Sequence, residues 1–171
     1  QEPMTLPYHR LARYLRELGD PRALPRKVIN RLRMTRWAHA WRARRGPLPD
    51  PQRWVFIVGC SNSGTTLCQR LLGEHPQISS FRGEGEWYTD LLVGAAHLGW
   101  PRMTVECFEQ VRMGPDALSA AEIERLKRQW GALYPAEPRP NLLEKTPSHI
   151  YRVPFFDTHF RPAYFIHVVR N

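Results

Sequence analysis

Lysine is nearly missing from this chain. Its 25 basic residues include only Lys27, Lys127 and Lys145, so each lysine can be weighed as a single chemical group. Cysteine is as scarce. Cys60, Cys68 and Cys107 form no CxxC pair and no metal-ligand spacing, which excludes a disulfide framework and a structural zinc site. It points to a reducing, cytoplasmic compartment and to no metal. No apolar run approaches the ~20 residues of a membrane span, and no basic start leads into an apolar signal core. Internal repeats and low-complexity tracts are absent as well. Acidic residues number 16 against 25 basic ones, for a net charge of +9. That balance favours anionic partners such as nucleotides, nucleic acid, acidic glycans or membrane surfaces, without choosing among them.

What is present is a globular composition, 42% hydrophobic and 24% charged, over 171 residues. That is enough for one domain with a core. Residues 1–50 read as a basic, partly helical N-terminal extension. Leu6, Leu11, Tyr14, Leu15 and Leu18 have helical spacing, and "RKVINRLRMTRWAHAWRARR" predicts a second helix with Val28, Leu32, Trp37 and Trp41 towards one side. This extension serves either as a solvated basic helix packed by its aromatics or as a docking surface. "GPLPDPQR" links it to a domain that spans 51–171. There, "WVFIVG" predicts a strand buried on both faces, as in a parallel sheet. Residues 65–74 predict a helix packed through Leu67, Leu71 and Leu72, and Ile78–Phe81 a second strand. "RGEGEWYTDLL" should run from a loop into a helix, while residues 100–116 are ambiguous. Residues 119–134 predict a helix that Ser119 caps and Glu122 completes as a capping box. "NLLEKT" and "AYFIHVV" are two further strands, and "SHIYRVPFFDTHF" is helical in part, broken near Pro154. This alternation argues for an α/β fold with a parallel sheet flanked by helices. The chain opens on Gln1 and closes on a strand with a loop just beginning, so we expect a fragment, truncated on its C-terminal side.

The first strand runs into "GCSNSGTT", residues 59–66. Ligands of parallel sheets sit beyond the carboxyl ends of strands. Gly59 permits a sharp turn and Gly64 a close approach of backbone to ligand. The N–H groups of Asn62 to Thr66, the helix dipole and the hydroxyls of Ser61, Ser63, Thr65 and Thr66 suit a phosphate. A polar turn with no ligand is the bland alternative. A nucleoside-triphosphatase loop would read GxxxxGK[ST], but Thr65 stands at the lysine position and no Walker-B aspartate is evident. ATP or GTP hydrolysis is therefore not expected.

Five segments, in order, resemble the sulfotransferases that use 3′-phosphoadenosine 5′-phosphosulfate (PAPS), in their broad bacterial and Golgi-type branch. They are "SGTT" after an apolar strand, "LLGEHP", "GEGEW", "LLEKTPSH" and "FIHVVRN". The resemblance covers about residues 54–171 and none of the first fifty. It implies a P-loop-like fold and transfer of the sulfuryl group of PAPS to a hydroxyl or amine. The loop Ser61, Asn62, Ser63, Gly64, Thr65 and Thr66 then holds the 5′-phosphosulfate, and Arg170 binds the 3′-phosphate. A serine that shares this role in the family would lie past the last residue here. Many relatives carry Lys or Arg where Asn62 stands. Lys145 is the candidate substitute for that charge, with a surface salt bridge as its alternative reading.

Sulfuryl transfer needs a base for the acceptor's proton and positive groups around the sulfonate and leaving phosphate. The resemblance places the base at Glu84, with Glu86 as second choice. Either could instead cap the chain or pair with Arg82. His167 reads as a core histidine in its strand, and Cys60 and Cys68 as small core residues. The acceptor stays open among glycan, lipid, peptide and small metabolite. Two other functions compete with the transferase: an ATP-using small-molecule kinase, and a non-catalytic basic module that binds nucleic acid or an acidic surface.

Overall fold

A computed structural model describes residues 35–94 and 108–170. Four strands form one sheet: β1 (Arg53–Gly59), β2 (Ile78–Ser80), β3 (Asn141–Lys145) and β4 (Ala163–Val168). Their spatial order is β2-β3-β1-β4, and every pairing is parallel. β1 is central because both its faces are apolar. Trp54, Phe56, Ile57 and Val58 are all buried, as expected for a strand covered on each side by crossover elements. Its register sets Ile57 beside Lys145 and Gly59 beside Val168, so the carboxyl ends of three neighbouring strands come together. All five residues of β3 are buried, two of them ionisable.

Among the described helices, α1 (Arg36–Arg45) precedes β1, α2 (Thr65–Gly73) joins β1 to β2, and α3 (Phe108–Val111) is a single turn. α4 (Ala120–Gly131) leads to β3, and α5 (Val153–His159) joins β3 to β4. The capping box forms as the sequence predicts: Glu122 N–H donates to Ser119 Oγ, and the Glu122 carboxylate accepts from Ser119 N–H. The first predicted helix, 6–18, and much of the second lie outside the described residues.

Several expectations need correction. α2 buries Thr65 and Gln69, while Leu67 and Leu71 are exposed. The Gln69 side chain turns inward because its amide donates to Ser80 Oγ and Phe81 O on the neighbouring strand. The break expected near Pro154 does form: a 3₁₀ stretch over Pro147–Arg152 gives way to α5, and Pro154 stands in the first turn of α5, where no intrahelical acceptor needs its missing N–H. From Arg82 the chain enters a 3₁₀ turn over Gly85–Tyr88 and is irregular from there to Gly94, with no α-helix among these described residues. Long-range hydrogen bonds to Gly85, described below, hold that turn. His167 is exposed, as is Cys60, because β4 is a sheet edge and Cys60 opens the loop after β1. α1 buries His39 and Arg42 and leaves Trp37 and Trp41 exposed. Arg42 is buried because its guanidinium donates to Tyr88 O through Nε and Nη2, and this fastens the end of the extension to the domain.

Aromatic residues dominate the core. Phe56 lies 4.7 Å from Phe156 and 5.4 Å from Phe165, and Trp130 packs at 5.7 Å on Phe156 (ring centroids). Such rings supply large apolar area and fixed geometry. They also form an apolar wall beneath the polar groups of β3 and the turn that follows it.

Candidate active site

The loop after β1 delivers three unpartnered amides. Ser63 N–H donates to Cys60 O, and Cys68 N–H, in the first turn of α2, to Gly64 O. The N–H groups of Thr65, Thr66 and Leu67 find no acceptor among the described residues. They are the free donors that every helix start leaves. Gly64 adopts φ 103°, a left-handed conformation that a side chain would strain, and a Cβ there would meet open space. Asn62 is also left-handed, at φ 66°, a conformation asparagine tolerates better than lysine or arginine. Arg170, from beyond the end of β4, donates through Nη1 to Asn62 O at 3.3 Å.

A cavity of about 450 Å³ opens on this loop, lined by Ser61, Asn62, Gly64, Thr65, Thr66, Glu84, Pro147 and Arg170. The structure thus collects segments from the ends of β1 and β4, the turn after β3 and the chain beyond β2. Lys145 stands behind Glu84: Nζ donates to Glu84 Oε1 at 2.8 Å, and the ammonium is almost wholly buried. Burial raises the Glu84 carboxyl above its ordinary range, Lys145 pulls it back down, and Glu86 pushes it up. Glu84 Oε2 has no partner among the described residues.

Glu86 points the other way. It accepts from Ser148 Oγ at 2.7 Å and lies 3.4 Å from Arg152 Nη1. Arg152 is fully buried; it also donates to Val111 O and Val93 O and to His149 Nδ1 at 3.1 Å. Between the two glutamates, Gly85 N–H donates to Glu144 Oε1 at 2.7 Å and to Thr146 Oγ1 at 2.9 Å. A Cβ on Gly85 would stand 2.7 Å from Glu144 Oε1 and from the Trp130 ring, so only glycine lets these elements meet. This clamp fixes the backbone between two adjacent carboxylates and turns them to opposite sides.

Glu144 is fully buried, and burial pushes its carboxyl up to about 8, against the smaller pull of Thr146, Gly85 and Lys145. Its proton is therefore retained at neutral pH. His149 Nε2 faces Glu144 Oε2 at 3.4 Å, and burial, with Arg152 beside it, holds the ring neutral well below its ordinary value. The signs of the two groups oppose. Glu144 keeps a proton that the unfolded chain loses above about 4.5, so it lowers stability as pH rises from there to about 8. His149 lacks a proton that the unfolded chain gains below about 6.5, so it lowers stability as pH falls from there. The two effects cancel between these ordinary values. Above pH 6.5 the Glu144 effect is no longer offset by His149 and amounts to about 1.4 kcal/mol per pH unit. Denaturant unfolding is expected to lose about 2 kcal/mol between pH 6.5 and 8, and Glu144→Gln to flatten that slope. An unchanged slope in the variant would mean that Glu144 is ionised in the folded protein.

A family model described as "Sulfotransferase family" matches residues 54–171, which include this loop. The chain belongs to the sulfotransferase family. Membership supports sulfuryl transfer in general and is consistent with the all-parallel P-loop-like fold. Neither the curated proteins nor the solved structures contain a match. No helix among the described residues is long and apolar enough to cross a membrane.

Of the residues expected from sequence, Ser61, Asn62, Gly64, Thr65, Thr66, Glu84 and Arg170 line one cavity. Ser63 sits in the same loop with its hydroxyl turned to Cys60 O, Lys145 backs Glu84, and Glu86 is buried away. Sequence reasoning missed Glu144, Thr146, Ser148 and Arg152. One signal was available for Glu144: an acid inside a short run that reads as a buried parallel strand must find donors or keep its proton.

Proposed function

We propose that this sulfotransferase moves the sulfuryl group of PAPS to a hydroxyl or amine, with Glu84 as base. The observation that carries this reading is the single cavity in which Glu84 faces the amide-lined loop and Arg170. PAPS, when bound, supplies the activated sulfuryl group and the adenosine bisphosphate that leaves. The free amides of Thr65, Thr66 and Leu67 suit its phosphosulfate. The Arg170 guanidinium, exposed and bonded among the described residues only to one carbonyl, suits its 3′-phosphate. Glu84 Oε2 takes the acceptor's proton, while Lys145 on Oε1 orients the carboxylate and favours its charged form before the transfer. Lys145 is not among the cavity's lining residues. We therefore assign it to the base, and assign the charge near the leaving phosphate to Arg170 and the loop amides.

Calorimetry tests the donor site. Adenosine 3′,5′-bisphosphate should bind and ATP should not, and Arg170→Ala should weaken the bisphosphate about tenfold or more, the worth of a charge-assisted contact. Preference for ATP would replace this reading with the small-molecule kinase. Salt-sensitive nucleic-acid binding that survives both Arg170→Ala and Glu84→Gln, with no bisphosphate bound, would point to the basic module.

A further inference from the structure

A second cavity, of about 610 Å³, runs beside the first, between one stripe of α2 and the chain leaving β2. Thr66, Gln69, Arg70, Gly73 and Glu74 recur at helical spacing along one wall; Ser80, Phe81, Arg82 and Gly83 make the other. Its inner end is Thr66, which also lines the cavity of Glu84, and Gly83 immediately precedes that glutamate. We propose that this groove holds the acceptor and selects a carbohydrate that carries a carboxylate. The inference rests on the sulfotransferase reading above and names the acceptor class for that site.

Charge and pairing point to an anion. Arg70 and Arg82 are both exposed, and neither has an ion pair or hydrogen bond through its guanidinium among the described residues. Two unpaired guanidinium groups on facing walls match a carboxylate, which arginine binds through parallel N–H donors. Their mounts are rigid. Gln69 ties the helix wall to Ser80 and Phe81, and Tyr88 Oη donates to Arg82 O at 2.8 Å, so the backbone of Arg82 is pinned from inside while its side chain faces out.

Three features choose a sugar. The one carboxylate in the groove, Glu74, is unpaired among the described residues and suits hydroxyl donors. An extended peptide, by contrast, needs free main-chain groups to pair with. On this wall Phe81 O is taken by Gln69 and Arg82 O by Tyr88. A lipid or steroid is disfavoured because Phe81 is the only large apolar residue in the lining, and it is buried.

The test uses the whole protein and direct binding, by calorimetry in the presence of adenosine 3′,5′-bisphosphate. The probes are a glucuronic acid–glucose disaccharide and the same disaccharide with its carboxyl reduced to an alcohol. The uronate is expected to bind at least about tenfold tighter, the scale of a charge-assisted hydrogen bond. Arg70→Gln and Arg82→Gln should each erase most of that advantage and leave the neutral sugar's affinity unchanged. Both side chains are exposed, so the variants fold. Equal binding of the two sugars, or an advantage that survives both variants, overturns the proposal. So does an acidic peptide that binds tighter than the uronate with the same arginine dependence. The two readings separate cleanly: bisphosphate binding without uronate selectivity removes only the groove assignment. Arginine-dependent uronate selectivity without bisphosphate binding removes only the donor.

Discussion

Glu84→Gln is expected to lower sulfuryl transfer from labelled PAPS by about 10²–10⁴-fold, the usual contribution of a positioned general base. Glutamine keeps the shape of the side chain but has no basic oxygen. Binding of adenosine 3′,5′-bisphosphate should persist, because the loop amides and Arg170 are untouched. Stability should fall as well, because the buried Lys145 ammonium keeps an amide oxygen as acceptor but loses its counter-charge, so transfer is compared in folded protein. Glu86→Gln supplies the contrast. Its carboxylate is buried on Ser148 and Arg152, away from the cavity, so its loss should be felt first in unfolding and only afterwards in rate. If Glu84→Gln retains full transfer while Glu86→Gln abolishes it in a folded protein, the roles assigned to the two glutamates are reversed.

Arg152→Met should destabilise the fold by about 3–5 kcal/mol, the range for breaking a buried ion pair from one side. Arg152 is fully buried; burial lowers its affinity for its proton and Glu86 partly restores it, while its bonds to Glu86, Val93 O and Val111 O call for the charged form. Removing it strands the Glu86 carboxylate and the carbonyls of Val93 and Val111. Against a total of about 5–15 kcal/mol for a domain of this kind, that is a large share. The midpoint of urea unfolding should fall accordingly. Adding Glu86→Gln to Arg152→Met should recover part of the loss, since the second change removes the uncompensated charge. A double variant no more stable than Arg152→Met would show that the carbonyls, not the ion pair, dominate.

Local patterns in the chain carried much of this far. The apolar run of β1, the loop with glycine at residue 64 and the Ser119–Glu122 capping box each depend on neighbours within a few positions. Backbone sterics and short-range hydrogen bonds decide them wherever they occur. The family, too, was legible, because five short segments keep their order along the chain. Spacing alone misjudged α2: it assigned the packing face to Leu67 and Leu71. A buried amide, Gln69, took that face by bonding to a strand eleven and twelve residues away.

The opposite directions of Glu84 and Glu86 could not be read from residues two apart in an irregular turn, where no periodicity fixes side-chain direction. It was decided by Gly85 N–H bonding to Glu144 and Thr146, 59 and 61 positions further on. The same holds for Arg170, brought to Asn62 across 108 positions by the parallel pairing of β4 with β1. The sequence by itself determined the four strands, the glycine-bearing loop after β1 and the capped helix α4. Which carboxylate faces the cavity, and which cation stands beside it, followed only from tertiary contacts, since a side chain in a turn goes where its backbone's distant partners hold it.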